Sequence, residues 1–418
     1  MERFSIQGPC RLDGQVAVAG AKNAALPALA ATLLAEGPVR LANLPAVRDI
    51  CTMVQLLGHF GVHAEEDGGD LVLQPAEQPA ETVAPYELVK TMRASVLALG
   101  PSLARWGRAR VSLPGGCAIG VRPIDQHLAG LEALGAEVSL EHGYVSARAR
   151  RLRGAHFRFS LPTVTGTENV LMAACLAEGT TQLANCAREP EIVDLATLLV
   201  SMGARIEGAG SETITVEGVP ALEGARHRVR GDRIEAGTYL VAAAITGGDV
   251  TVAGVHADDL GALLAVLRDA GADLEVDGDR SIRLRAPPAL RCPDVETAPH
   301  PGFPTDLQAQ YMALATQGTR TVTVHESVFE NRFQHAAELN RMGARIRIEG
   351  SRARVEGGRH LLGAHVMATD LRASAGLVLA GLCAEGETVV DRIYHLDRGY
   401  ERMESKLQSL GASVERVR

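Results

Sequence analysis

Apolar and polar positions follow two recurring patterns along this chain. Six times, a stretch with a 3.6-residue apolar period runs into Gly, then a small residue, then an alternating apolar and polar stretch. The glycines fall at 61, 135, 203, 271, 343 and 411, spaced 68 to 74 residues apart. Each junction predicts an amphipathic helix, a left-handed helix end and a half-buried strand. A second marker runs in phase with the first. Gly37, Gly107, Gly179, Gly248, Gly318 and Gly386 each close a small-residue-rich apolar stretch and open a short β-branched one, such as residues 321–324. These helix ends are expected to be left-handed as well. The stripes Leu396, Tyr400, Met403, Leu407, Leu410 and Leu260, Leu263, Leu264, Leu267 predict second helices with one apolar face.

Each repeat therefore reads as helix, Gly, strand, loop, helix, Gly, strand. Six such units of about 70 residues predict an α/β protein of two pseudo-threefold domains. The N-terminus is the odd piece, with short strands expected near 4–6 and 16–18 that lack a unit of their own. They are expected to join the last repeats, so that the chain leaves one domain, builds the other and returns. This places one domain at 22–229 and the other at 1–21 plus 230–418, with hinges near Gly20–Ala21 and Val229–Arg230. The repeat is equally what a non-catalytic ring scaffold would show.

Composition narrows the field. Of 418 residues, 46% are apolar and 22% charged, so a large core needs no disulfide or metal staple. The net charge of −8 and 3% aromatic content disfavour nucleic acid and anionic membranes. The longest uncharged apolar runs, 23–35 and 373–384, are too short to span a bilayer, and no secretory pattern opens the chain. Seven cysteines without Cys-x-x-Cys spacing predict free thiols, no zinc site and a reducing cytoplasm.

The unusual polar residues share one phase of the repeat. Lys22-Asn23, Arg93, residues 163–169, 233–235, Asp306 and Asp370/Arg372 precede or open the first helix of a unit. Arg48, residues 115–122, Arg188-Glu189, Asp258, residues 326–332 and Asp397-Arg398 precede the second helix. Helix N-termini collected at one end of each domain would hold an anion in a cleft between the domains. Asp258, Asp259 and Thr163 read as simple N-caps. Lys22, Arg93, Arg122, Arg372 and Arg398 do not, because a cation at a helix start needs an anion or a carboxylate partner. Lysine occurs only at 22, 90 and 406, and Lys406 reads as solvated.

Cys117 lies in the loop Pro114-Gly115-Gly116-Cys117-Ala118-Ile119-Gly120-Val121-Arg122-Pro123, where Arg122 and backbone N–H groups favour a thiolate. Cys51, Cys175 and Cys383 sit in apolar stretches and read as small buried hydrophobes. Asp306 follows the stiff segment Pro301-Gly302-Phe303-Pro304-Thr305 and fits either a base or an N-cap. The thirteen histidines show no metal spacing.

These motifs resemble the UDP-N-acetylglucosamine 1-carboxyvinyltransferase family, in the EPSP synthase-like superfamily. The segments that carry the likeness span essentially the whole chain. They are Gly20-Ala21-Lys22-Asn23-Ala24-Ala25-Leu26-Pro27, Lys90-Thr91-Met92-Arg93-Ala94-Ser95, Pro114-Gly115-Gly116-Cys117, Arg188-Glu189-Pro190-Glu191, Phe303-Pro304-Thr305-Asp306, Glu330-Asn331-Arg332-Phe333, Thr369-Asp370-Leu371-Arg372 and Asp397-Arg398-Gly399-Tyr400. The resemblance implies two inside-out α/β barrel-like domains. It also implies transfer of the enolpyruvyl group of phosphoenolpyruvate to the 3-hydroxyl of UDP-N-acetylglucosamine, with release of phosphate. That is the first committed step of peptidoglycan synthesis, on which cell shape and division depend.

The same resemblance assigns roles. Cys117 becomes the proton donor and the sulfur of a covalent adduct, Asp306 the base, and Lys22 and Arg398 catalytic cations. Lys22, Asn23, Arg122 and Arg398 would hold phosphoenolpyruvate. Arg93, Arg122, Pro123, Ile124, Asp125, Gln126, Thr163, Thr165, Gly166, Asp306 and Val328 would hold the UDP-sugar, with Asp370 and Arg372 in support. The segment Pro162-Thr163-Val164-Thr165-Gly166 stands where some members carry a Lys-containing loop near the diphosphate. Thr163, Thr165 and backbone N–H groups are the expected substitutes. No metal, organic cofactor, nucleic acid, membrane or obligate protein partner is implied. Most members carry Cys at position 117 and a few Asp, so Cys here implies inactivation by epoxide phosphonates such as fosfomycin. The shikimate-pathway enolpyruvyl transferase shares fold and donor, but its Ser-Lys-Ser opening is absent around Lys22.

Overall fold

The computed structural model describes residues 2–79, 81–90, 92–113 and 124–418. They divide into two compact lobes, one of 20–113 and 124–230, the other of 2–19 and Gly231–Arg418. Each lobe holds three repeats built around three inner helices. These are Lys22–Ala31, Leu99–Trp106 and Val164–Ala174 in the first, and Arg233–Ile245, Gln308–Thr316 and Leu371–Cys383 in the second. Alanine and leucine dominate these helices and most of their residues are buried, so they offer little surface to water. All nine residues of Gln308–Thr316 are buried. Small residues let the inner helices touch closely: a Cβ on Gly376 would lie 2.8 Å from the carbonyl oxygen of Ala309 on the neighbouring helix.

The sheets lie outside the helices, which makes each lobe inside-out. Every sheet has four strands in one arrangement: a short parallel edge strand, a central strand, then two antiparallel strands, which form a hairpin in five of the six. In the second repeat the order is Val83–Ala84, Arg108–Ser112, Tyr144–Arg148, Glu137–Glu141. The edge strand comes from the end of the preceding repeat. Arg226–Arg228, at the end of the third repeat, pairs in parallel with Val39–Ala42 of the first and closes that lobe into a ring.

The other ring is closed by the N-terminus. Asp13–Ala17 is the parallel edge strand beside Asp249–Ala253. Arg3–Gly8 lies between Gly386–Asp391 and Ser413–Val417, filling the place that a hairpin strand fills in the other five sheets. Both expected N-terminal strands thus complete the last three repeats.

The six glycines of the first marker all have positive φ, from 77° to 106°. The second marker is less uniform than expected. Gly107, Gly179 and Gly386 are left-handed, the role of Gly248 falls to Gly247, and Gly37 and Gly318 keep negative φ. The returning hairpin strands and the short edge strands went unforeseen. Their turns were nonetheless written in the sequence: Gly68-Gly69 and His142-Gly143 both have the paired positive φ of a type I′ turn.

Three local readings need correction. Leu396 and Tyr400 are buried with Met403 and Leu407, but the helix is only Met403–Ser409. Leu396 lies in a preceding 3-10 turn, and left-handed Arg402 separates the two. Cys51 is exposed on helix Arg48–His59, unlike buried Cys175, because it falls off the apolar stripe Met53, Leu56, Leu57. Lys406 is not solvated; its ammonium meets the buried Glu235 carboxylate at 2.6 Å.

Two glycines should respond oppositely to alanine. Gly58 lies inside helix Arg48–His59 with nothing within 4 Å of an added Cβ, so Gly58→Ala should stabilise by about 0.5–1 kcal/mol. Gly411 has φ +98° and also has room, so Gly411→Ala should destabilise by about 1–2 kcal/mol through backbone strain alone. Urea unfolding of the two variants checks this, and shifts of the same sign would contradict it.

Candidate functional site

The N-terminal ends of the inner helices of the 20–230 lobe carry Lys22, Arg93 and Thr163. Helix Lys22–Ala31 has no acidic residue in its first turn and no capping side chain. Lys22 is nevertheless buried, and its Nζ lies 3.2 Å from Oδ2 of buried Asp49, in the first turn of Arg48–His59. A carboxylate partner thus offsets the misplaced cation. Asn23 beside it is exposed, and Arg93 is half-buried.

Behind Arg93 lies a buried polar network. Asn169 accepts from the Gly100 N–H at 2.7 Å and donates to the Val96 carbonyl at 2.9 Å and to His127 Nδ1 at 3.0 Å. Nδ1 is therefore the acceptor, and Nε2 carries the proton toward Thr165 Oγ1 at 3.2 Å. Burial, aided by the Arg93 charge, pushes the His127 pKa down to about 4. Thr163 caps its helix by accepting from the Gly166 N–H at 3.3 Å, and a Cβ on Gly166 would meet Thr163 Cγ2 at 2.4 Å. Both threonine hydroxyls are thus engaged within the lobe. Ile124 precedes helix Asp125–Ala133, and Gln126 accepts from the Ser160 N–H at 2.8 Å. Glu168, one turn on from Thr165, is fully buried; burial first, then Glu191 and Glu189, hold its carboxyl well above the usual carboxylate range.

In the other lobe the corresponding helix ends carry aspartates. Asp232 and Asp370 are N-caps, each accepting from two backbone N–H groups. Asp306 takes a different part. Its Oδ1 accepts from Arg332 at 2.7 Å, and its Oδ2 meets Arg372 Nη2 at 3.1 Å. Of the two readings for Asp306, the N-cap is not realised. Arg332 also donates to Thr305 Oγ1 at 2.9 Å, and Thr305 donates to Glu326 at 2.8 Å. Glu326 in turn accepts from the N–H groups of Val328 and Phe329, at 2.9 and 3.1 Å, fixing that loop. Burial works against the Arg372 charge, but Asp306 and its other neighbours outweigh it and the pKa moves up. Arg398 ends the 3-10 turn Ile393–Arg398, and its charge and that of Asp370 both reach His395, whose pKa burial lowers.

The expected site residues gather in two groups. Lys22, Asn23, Arg93, Ile124, Asp125, Gln126, Thr163, Thr165 and Gly166 belong to the first lobe, and Asp306, Val328, Asp370, Arg372 and Arg398 to the second. Cys117, Arg122 and Pro123 lie outside the described residues. Asp258 and Asp259 are not caps, since they sit inside the 3-10 turn Ala257–Leu260. Asp49 and His127 were missed, while Asn169, Glu326 and Arg332 fell within the polar segments 163–169 and 326–332 without a role of their own. Arg332 stood in a quoted motif; Asp49, His127 and Asn169 have partners too far along the chain to be read locally. Among the described residues, no three His, Cys, Asp or Glu side chains cluster to hold a metal ion.

Comparison with known proteins adds to this geometry. The family model of EPSP synthase (3-phosphoshikimate 1-carboxyvinyltransferase) matches residues 6–407. The chain is 56% identical over 418 residues to the UDP-N-acetylglucosamine 1-carboxyvinyltransferase of Magnetococcus marinus, covering 100% of both chains. Its structure is similar to the enolpyruvyl transferase NikO from Streptomyces tendae, with a TM-score of 0.89, 26% identity and coverage of 100% and 99%. It also shares the fold of an EPSP synthase from Acinetobacter baumannii, with a TM-score of 0.79, 19% identity and full coverage of both.

The buried histidines predict acid sensitivity. His127 in one lobe and His335 in the other are both pushed down to about 4, chiefly by burial. Between pH 6.5 and 4 the unfolded chain binds a proton at each that the folded chain does not. Stability should therefore fall as pH falls through that window, by up to about 3 kcal/mol per histidine. Urea midpoints followed from pH 7 to pH 4.5 should decline less steeply in His127→Asn and His335→Asn, whatever their stability at pH 7. An unchanged slope would overturn this.

Proposed function

The chain belongs to the EPSP synthase family, on the branch of the UDP-N-acetylglucosamine 1-carboxyvinyltransferases, and from that premise we propose that it transfers the enolpyruvyl group of phosphoenolpyruvate to the 3-hydroxyl of UDP-N-acetylglucosamine and releases phosphate. The observation that carries this reading is the full-length identity of 56% to a relative of that name. The Lys22 and Asp306 clusters supply the charge pattern such a reaction needs. The enzyme would act in the cytoplasm at the entry to peptidoglycan synthesis.

The reaction is an addition followed by an elimination. The Cys117 thiol gives its proton to C3 of phosphoenolpyruvate, and positive charge develops at C2. The sugar 3-hydroxyl attacks C2, and its proton passes to Asp306. From the tetrahedral adduct, C3 gives up a proton as the C2–O bond to phosphate breaks, leaving the enol ether and inorganic phosphate. Two guanidiniums hold the Asp306 carboxylate, which would make it a poor base toward an ordinary alcohol. Attack on an oxocarbenium-like centre sharply acidifies the hydroxyl, so placement matters more here than basicity.

Lys22, Arg122 and Arg398 would stabilise phosphate and carboxylate as charge redistributes. Lys22 would then shift from Asp49 toward the substrate. Arg93, Ile124, Asp125, Gln126 and Val328 would line the UDP-sugar. With the Thr163 and Thr165 hydroxyls engaged within the lobe, the diphosphate would fall to backbone N–H groups at the start of helix Val164–Ala174. Cys117 would also form the covalent adduct and take up fosfomycin.

A coupled phosphate-release assay tests this. Phosphate should appear with UDP-N-acetylglucosamine and not with shikimate 3-phosphate. Asp306→Asn should lower kcat by about 10²–10⁴. Fosfomycin should alkylate Cys117 stoichiometrically and abolish turnover, while Cys117→Asp should keep activity and resist the drug. Phosphate release with shikimate 3-phosphate instead, or full activity after Cys117 alkylation, would overturn the assignment.

A further inference from the structure

The 20–230 lobe has a second charged concavity, at the end away from Lys22, Arg93 and Thr163. An open cavity of about 1770 Å³ collects the C-terminal ends of the three inner helices. Leu34 follows the first, Trp106 ends the second and Leu176 follows the third. Arginines 105, 108, 148, 150, 151 and 153 line it, against glutamates 36, 77, 137 and 178. In a chain of net charge −8, six arginines against four glutamates run counter to the composition.

Helix ends account for part of this. Carbonyls at a helix C-terminus attract cations, and Arg105 donates to the Leu33 carbonyl at 2.9 Å. Arg151 pairs with Glu178 at 2.7 Å. Arg108, Arg148, Arg150 and Arg153 are exposed, and among the described residues their side chains make no hydrogen bond or ion pair.

The internal repeat supplies a control for two of these. Arg108 and Arg148 face each other directly across neighbouring antiparallel strands, where like charges destabilise. At the same sheet positions the third repeat has Thr180, Glu217 and Arg205, with Arg205 donating to Glu217 at 2.5 Å. The fourth has Asp249, Arg285 and Asp273, with Arg285 meeting Asp273 at 2.7 Å. In both, a central charge is answered on an adjacent strand. In the second repeat Glu137 stands opposite Arg148, no ion pair forms, and Arg108 is left facing its like.

We propose that this cavity binds a small anion bearing a diphosphate group, whose oxygens answer Arg108, Arg148, Arg150 and Arg153. Guanidinium groups of Arg108 and of the stretch 148–153, lining one cavity, suit two adjacent phosphates, each able to take paired N–H donors. The concavity and the four glutamates disfavour a continuous polyanion such as nucleic acid, which would be repelled along its length. The diphosphate can come from inorganic pyrophosphate or from a nucleoside diphosphate. Trp106, the one tryptophan of the chain, lines the cavity and holds its indole N–H on the Glu77 carbonyl at 3.1 Å, so its emission reports on this place.

The test titrates the full chain separately with pyrophosphate and with ADP at constant ionic strength, without either substrate of the proposed reaction. Trp106 emission and equilibrium dialysis are both read. Saturable binding is expected, weakened at least about tenfold in Arg108→Ser/Arg148→Ser and likewise in Arg150→Ser/Arg153→Ser. These exposed side chains can be removed without opening the core, which far-UV circular dichroism checks. Lys22→Ala should leave the binding unchanged. Equal affinities assign the site to the diphosphate alone, and tighter ADP binding adds a contact to the nucleoside; both support the proposal. Absence of saturable dialysis binding, undiminished binding in both double variants, or loss of binding in Lys22→Ala would overturn it. None of these outcomes depends on whether phosphate release occurs.

Discussion

Three inner helices in each lobe bury most of their residues, and each must therefore be covered on nearly every side. A single repeat cannot do this, because its own strands build at most three-quarters of a sheet. The fourth strand is borrowed from another part of the chain, as Val83–Ala84 from the preceding repeat joins the sheet of Arg108–Ser112 and N-terminal Asp13–Ala17 joins that of Asp249–Ala253. Three repeats closing head to tail satisfy every helix and every sheet at once. The small residues along the inner helices follow from that closure. So does the N-terminal excursion, which supplies the two strands the last three repeats lack.

Closure also sorts the polar chemistry. In the 20–230 lobe the C-terminal ends of the inner helices meet at one cavity, so their N-terminal ends, with Lys22, Arg93 and Thr163, face the other way. The two lobes use these ends differently. One places cations there and balances Lys22 with Asp49. The other places aspartates there, two of them capping and the third held between Arg332 and Arg372. A buried charge left without its partner is costly, so these side chains are tied down by partners of opposite charge.

Much of this was legible in residue order. Six glycines at near-constant spacing marked the repeat, and all six are left-handed. The strands near 4–6 and 16–18 were visible from alternation, and their lack of a repeat of their own pointed to the last three. Pairings across long separations were not visible. Lys22 and Asp49 are 27 positions apart, His127 and Asn169 are 42, and Lys406 and Glu235 are 171. Nothing local distinguishes Lys406 from a solvated lysine, since its partner is brought by the ring. Cys51 failed for another reason: an apolar neighbourhood in sequence covers all faces of a helix, and its side chain points to the wrong one.

The place of the first strand has a consequence for the order of biosynthesis. Ser5 donates to Glu387 across 382 positions, and the Arg3–Gly8 strand stays without neighbours until both Gly386–Asp391 and Ser413–Val417 have left the ribosome. The lobe of 20–230 can close around its own helices well before that. Translation therefore yields a half-finished molecule with one mature ring and a waiting, unpaired edge, the kind of species that folding helpers shield from aggregation.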